Sequence, residues 1–150
     1  LDWLVVAQTA PAGHLSPIGN GWWSRAGARS RFDQQPIEAT ALLLAADAAL
    51  QATDDDRHRR TMEAAYGWFL GRNDTGHHLV DPARGACHDG LTEHGVNANE
   101  GAESTLMWLM AAEHIRALRS VADARPAPAG WVEVAGNLGR AGRPLAASQA

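Results

Sequence analysis

Apolar positions fall into three runs of helical period, separated by polar stretches carrying Gly and Pro. In the first run, Ile37, Ala41, Leu44 and Ala48 recur at helical spacing and predict a helix over 34–52. Pro36 falls in its first turn, where a missing N–H leaves no bond unmade, and Asp33 is the expected N-cap. In the second run, Met62, Ala65, Tyr66 and Phe69 share one face of a helix over 57–70. The acidic run at 54–56 supplies its turn and cap, and Gly71 stops it. The third run, Leu106-Met107-Trp108-Leu109-Met110, belongs to a helix from about 99 to 121. A shorter segment at 3–7 reads as the end of a helix halted by Pro11 and Gly13.

Two long connections separate these runs. Residues 14–30 are rich in Gly, Pro and Ser and carry Trp22 and Trp23. Residues 72–95 carry turn signals at Asn73-Asp74, Asp81-Pro82 and Asp89-Gly90. No stretch alternates as a strand would, so the expected class is all-α, built of helical hairpins. The expected domain spans 1–124. The Pro/Ala/Gly-rich composition of 125–150 predicts a flexible tail, with a local apolar patch at Trp131-Val132-Glu133-Val134.

Composition narrows the function classes. With 150 residues, 45% hydrophobic and 20% charged, the chain is long enough for one sizeable core. A net charge of -4 gives no electrostatic footprint for nucleic acid. No apolar run approaches the roughly 20 residues of a membrane helix. The chain opens on Leu1-Asp2-Trp3 without a basic leader, so a cytoplasmic protein is expected. It opens without Met and already in helical pattern, which suggests a fragment, or the C-terminal part of a longer polypeptide. The single cysteine, Cys87, reads as a plain loop thiol, because a nucleophile needs a partner base and the adjacent His88 is poorly placed to be one. His77, His78, Asp81, His88 and His94 match no closed zinc spacing, so neither metal nor cofactor is expected.

The chemistry concentrates in two polar clusters, each opening an apolar helix. The first is Phe32-Asp33-Gln34-Gln35-Pro36-Ile37-Glu38. The second is Asn97-Ala98-Asn99-Glu100-Gly101-Ala102-Glu103-Ser104-Thr105. Each admits a plain reading as a helix cap, with Asp33 capping the first helix and Asn97 or Asn99 the second. Taken together, the amides and carboxylates exceed what capping requires, and they suit sugar hydroxyls, which both donate and accept. Glu100 and Glu103 are three apart and would share a helical face, with Ser104 beside Glu100. Trp22 and Trp23 offer faces for a sugar ring, although at least one of them is expected to plug the core. Arg25 and Arg31 could bind an anionic group or pair with nearby carboxylates; Arg29 is expected at the surface. Asp89 is either a turn residue or a carboxylate aimed into a cleft.

Taken in order, Ile18-Gly19-Asn20, Trp22-Trp23, Arg31-Phe32-Asp33-Gln34-Gln35-Pro36-Ile37-Glu38-Ala39, Trp68-Phe69-Leu70-Gly71-Arg72-Asn73-Asp74, Asp89-Gly90-Leu91 and Asn97–Thr105 carry a resemblance. Over about residues 1 to 120 the chain resembles the C-terminal end of a bacterial family of six-hairpin, glycosidase-like (α/α) toroids. That family is often associated with, or described as, glycosyltransferases. A full toroid has about twelve helices and this chain supplies about four. The resemblance therefore implies part of a ring, completed by a missing N-terminal half or by a second copy. It implies a cleft at the N-terminal ends of inner helices.

The expected function is hydrolysis or transfer at a glycosidic bond, acting on an oligosaccharide or sugar. That chemistry needs one carboxyl as acid and a second as base or nucleophile. Glu103 or Glu100 is the expected first, Asp33 or Glu38 the second, and Asp89 the reserve. Gln34, Gln35, Asn97 and Asn99 would hold hydroxyls; Trp22, Trp23 and Arg25 would complete the ligand contacts. The alternatives are a non-catalytic glycan-binding or scaffolding domain beside a glycosyltransferase, and a sugar epimerase using His14, His88 or His94 as base.

Overall fold

A computed structural model describes residues 1–21, 23 and 27–124. Trp22, Arg25 and the whole segment 125–150, with its Trp131–Val134 patch, lie outside the described residues. Four helices account for most of the ordered structure: α1 (Asp2–Ala7), α2 (Pro36–Thr53), α3 (Asp56–Phe69) and α4 (Ala102–Ala124). None is long and apolar enough to cross a membrane.

The expectation of a strand-free chain is corrected between α3 and α4. Four strands of two residues each form two antiparallel hairpins, β1 (Val80–Asp81) with β2 (Ala86–Cys87) and β3 (Leu91–Thr92) with β4 (Gly95–Val96). Two residues cannot establish an alternating pattern, which is why the sequence shows turns there and no strands.

α2 and α3 form a hairpin through a tight turn. Asp54 ends α2 in the left-handed conformation, and the Asp55 carboxylate caps α3 by accepting from Arg57 N at 2.9 Å. α4 packs across both. Thr40 Oγ1 donates to Met107 O at 3.0 Å, and one turn-pair further on His114 Nδ1 meets Asp47 at 2.7 Å. Both contacts join residues 67 apart, so α2 and α4 run parallel with their N-termini at the same end. The two polar clusters are thereby brought to one place.

The core lies between the three long helices and the hairpins, with Trp68, Phe69, Leu43, Met62, Leu79, Leu91 and Ile115 fully enclosed. On α2 the buried stripe is Ala39, Leu42, Leu43 and Ala46, whereas Ile37, Ala41 and Ala48 face outward. Alanine and leucine line α2 almost all round, so period alone could not choose the inward face. Its N-cap is Gln35, with Glu38 completing a capping box, which corrects the assignment to Asp33. Pro36 at the first position shifts the cap two residues along.

Candidate functional site

A polar cleft of about 200 Å³ opens at the shared N-terminal end of α2 and α4, lined by Asn20, Asp33, Gln34, Gln35, Asp89, Gly90, Thr92 and Asn97. Backbone bonds frame it on each side. Asn20 N donates to Asp33 O, Gln34 and Leu91 exchange both bonds of a bridge, Asn97 N donates to Gly90 O, and Asp89 N donates to Asn99 O. Gly90 permits the bridge, since a Cβ there would stand 2.7 Å from Gln34 O.

Consecutive residues of the first cluster take different roles. Gln34 is fully buried: its amide nitrogen donates to Arg31 O at 2.8 Å and to Asp74 at 2.6 Å, and its oxygen accepts from Trp68 Nε1 at 2.8 Å. It borders the cleft while spending its polar atoms inward. Gln35 is exposed and lines the cleft. Asp33 is exposed, lines the cleft and adopts the left-handed conformation at φ 58. Its carboxylate has no hydrogen-bond or ion-pair partner among the described residues, and a non-glycine residue held there costs of order 1 kcal/mol or more. Glu38 is half-buried in its capping box, accepting from Gln35 N at 3.3 Å. Burial raises its carboxyl above the ordinary value, and the Gln35 N–H only partly opposes this.

The second cluster is held from outside itself. One oxygen of Asp89 accepts from Gly101 N and from Ser104 Oγ, each at 2.7 Å, and so caps the start of α4 from the preceding hairpin loop. Gly101 is required by that approach, because a Cβ would meet the same oxygen at 2.7 Å. This replaces the expected cap by Asn97 or Asn99; Asn97 Oδ1 instead accepts from Asn99 N within the loop. α4 begins at Ala102, so Glu100 precedes the helix and does not share a helical face with Glu103. Glu100, with its side chain 10% exposed, pairs with Arg84 at 2.6 Å. Glu103 is exposed on the first turn, and neither it nor Glu100 lines the cleft. Asn97 lines it, whereas Asn99 contributes its carbonyl to the frame.

Of the aromatic candidates, Trp23 stacks on Trp3 with ring centroids 5.6 Å apart and planes within 6°. One of its faces is therefore covered. Arg31 lies over the Phe32 ring, and Arg29 is not a surface residue: it is half-buried and donates to Ala7 O, Ser16 O and Ser16 Oγ.

Beneath the cleft lies a polar hub that residue spacing did not reveal. Asp74, its side chain 4% exposed, accepts from Ser16 Oγ at 2.6 Å, Gln34 Nε2 at 2.6 Å and His14 Nε2 at 2.9 Å. Burial alone would push this carboxyl up. The donors Ser16, His14 and Gln34, with the His14 charge, more than offset it and hold the carboxyl below its ordinary range. The only signal in the sequence was Asn73-Asp74, read as a turn. Asn20 and Thr92 also entered the cleft unforeseen.

Two enclosed polar atoms, His88 Nδ1 and Trp108 Nε1, have no hydrogen-bond partner among the described residues. Cys87 is buried, and burial, followed by the charges of Asp89 and Glu100, pushes its thiol up to about 12, which leaves almost no thiolate at neutral pH. Among the described residues no cluster of His, Cys, Asp or Glu could hold a metal ion. A comparison with protein-family models and with curated proteins finds no match for this chain.

Proposed function

We propose that the cleft at the N-terminal ends of α2 and α4 binds a sugar and acts at a glycosidic bond, by hydrolysis or transfer. The observation that carries this reading is convergence. Asp33 and Gln35 from one cluster, Asp89 and Asn97 from the other, and Asn20 and Thr92 from between them line one small polar cleft. Amides, a hydroxyl and carboxylates side by side match the mixed donor and acceptor pattern of a polyol. The parallel α2 and α4, joined through a hairpin with α3, also suit adjacent inner helices of an (α/α) toroid, and this supports the family resemblance.

Within this reading Asp33 and Asp89 form the carboxylate pair. Asp33 has no partner among the described residues to surrender when it meets substrate. Asp89 is oriented through one oxygen by the start of α4, and the unshared carboxyl edge is the part available to the ligand. Glu38 does not line the cleft; burial raises its carboxyl above the ordinary value while it holds the capping box of α2. Glu103 and Glu100 recede from the reaction, and none of His14, His88 and His94 lines the cleft, which disfavours the epimerase alternative.

A non-catalytic glycan-binding module is the second reading, favoured by the engagement of Asp89 in the α4 cap. Calorimetric titration against manno-, gluco- and galacto-oligosaccharides, with product analysis on the same samples, separates the two. The enzyme reading expects turnover that falls roughly 10²–10⁴-fold in Asp33→Asn and persists in Glu103→Gln. Binding without products in the unaltered chain supports the module instead, and no binding at all rejects both.

A further inference from the structure

A second cavity lies between α1, the 9–15 turn and the N-terminal half of α3. Its volume is about 380 Å³, within the range of small-molecule sites. Val5, Val6, Leu15, Leu42 and Ala64 give it apolar walls. Its polar wall groups are nearly all engaged: Thr9 Oγ1 donates to Val5 O at 2.7 Å and Thr61 Oγ1 to Arg57 O at 3.1 Å. The exception is His58. It is 4% exposed, lines the cavity, and its imidazole has no hydrogen-bond partner among the described residues. The enclosed polar atoms without a partner among the described residues are His88 Nδ1 and Trp108 Nε1, so the His58 ring nitrogens open onto the cavity, within reach of a ligand.

The rim adds a charge preference. Arg57 and Arg60 line the cavity, and their present partners are exposed carboxylates: Asp2 and Asp55 for Arg57, Asp56 for Arg60. Exposed ion pairs of this kind contribute little and exchange readily. An incoming carboxylate can take a guanidinium from them while accepting from His58. The Asp2 carboxylate on the same rim acts against a second negative charge.

From this arrangement we propose that the α1–α3 cavity is a binding site for a small apolar monocarboxylate. Its chain or ring would lie along Val5, Val6 and Leu42, with its head group on His58. The site is separate from the sugar cleft and does not depend on it.

The test titrates the full chain with octanoate, 1-octanol and octylamine, by calorimetry and by the imidazole resonances of His58. Octanoate is expected to bind saturably with Kd at or below about 1 mM. The alcohol should bind roughly tenfold more weakly, and the amine should not bind measurably. His58→Leu should weaken octanoate roughly tenfold. Val6→Trp, at a residue 75% exposed on the cavity wall, should block it without disturbing the core. Thermal unfolding establishes that each variant is folded; should His58→Leu fail to fold, Val6→Trp carries the test alone. Absence of saturable octanoate binding, equal affinity for octanol, or an unchanged affinity in folded variants overturns the proposal. So does a concentration-dependent dimer that Val6→Trp dissociates, since the cavity would then be covered by a second copy.

Discussion

Asp74 and Asp33 are two aspartates on either side of Gln34, one bonded to it in space and one beside it in sequence, and they differ in nearly everything except chemistry. Asp74 is enclosed and takes three donors, from residues 14, 16 and 34. Asp33 is exposed and strained, and its carboxylate takes none among the described residues. Gln34 connects them, next to Asp33 in sequence and bonded to Asp74 in space. A buried carboxylate must be satisfied by the protein itself, so Asp74 serves the fold by joining the 14–16 loop, the α2 entry and the end of α3. An open carboxylate held in a costly backbone conformation contributes nothing visible to the fold, and its use is expected to lie with a ligand.

The sharpest way to break this contrast is at Asp74. Asp74→Ala leaves three donors facing a void and is expected to cost about 3–4 kcal/mol, read by chemical denaturation at neutral pH. The sign of its pH dependence follows from the lowered carboxyl. The folded pKa lies below the unfolded one, so the stabilisation is present above about pH 4 and is lost as pH falls through the lower, folded value. The gap between the unaltered chain and Asp74→Ala should therefore close in acid. A gap that is constant down to pH 2 would show the network working through packing alone.

Asp89 comes next. Asp89→Ala removes the acceptor for Gly101 N and Ser104 Oγ, and is expected to cost about 1–2 kcal/mol and to raise amide exchange at the first turn of α4. Asp33 should move the other way. Asp33→Gly relieves the left-handed strain and is expected to leave stability unchanged or raise it by up to about 1 kcal/mol in thermal melts, while abolishing ligand turnover. A stability loss of the Asp74 kind at Asp33 would erase the distinction between the two residues.

The smallest effect is expected at Glu38. Glu38→Gln keeps the capping box and should change stability at low pH by only a few tenths of a kcal/mol. Because burial raises the folded carboxyl above the ordinary 4.5, ionisation is disfavoured in the fold. The native glutamate is at its best below that pH and loses stability as pH rises through the folded value. The variant should thus gain on the native chain between mildly acidic and neutral pH, measured as a crossing of melting temperatures.

Much of the helical framework was legible. The expected helices at 34–52, 57–70 and about 99–121 match α2, α3 and α4 to within three residues at every end. Apolar period, Pro36, the acidic run at 54–56 and Gly71 are local signals that act through local geometry. The hairpins between α3 and α4 were not legible, because strands of two residues are fixed by pairing and leave no pattern of their own. The candidate site was legible as two clusters. Which members face the cleft was not: Asp89 and Asp33 line it, whereas Glu103 and Glu100 stand outside it. Helical spacing placed Glu100 beside Glu103 on one face, but the chain enters α4 only at Ala102.

By itself, then, the sequence determined where the chain turns helical, where it breaks, and that hydrogen-bonding side chains gather at two helix starts. These are properties of neighbouring residues, and period and capping chemistry suffice for them. The tertiary structure alone decided that α2 and α4 lie parallel and so bring those starts together. It decided that Asp89 caps a helix a dozen residues away, and that Gln34 turns inward to Trp68 and Asp74 while Gln35 faces the cleft. Gln34 and Gln35 carry the same side chain. The difference between them is which groups the rest of the fold brings within hydrogen-bond reach.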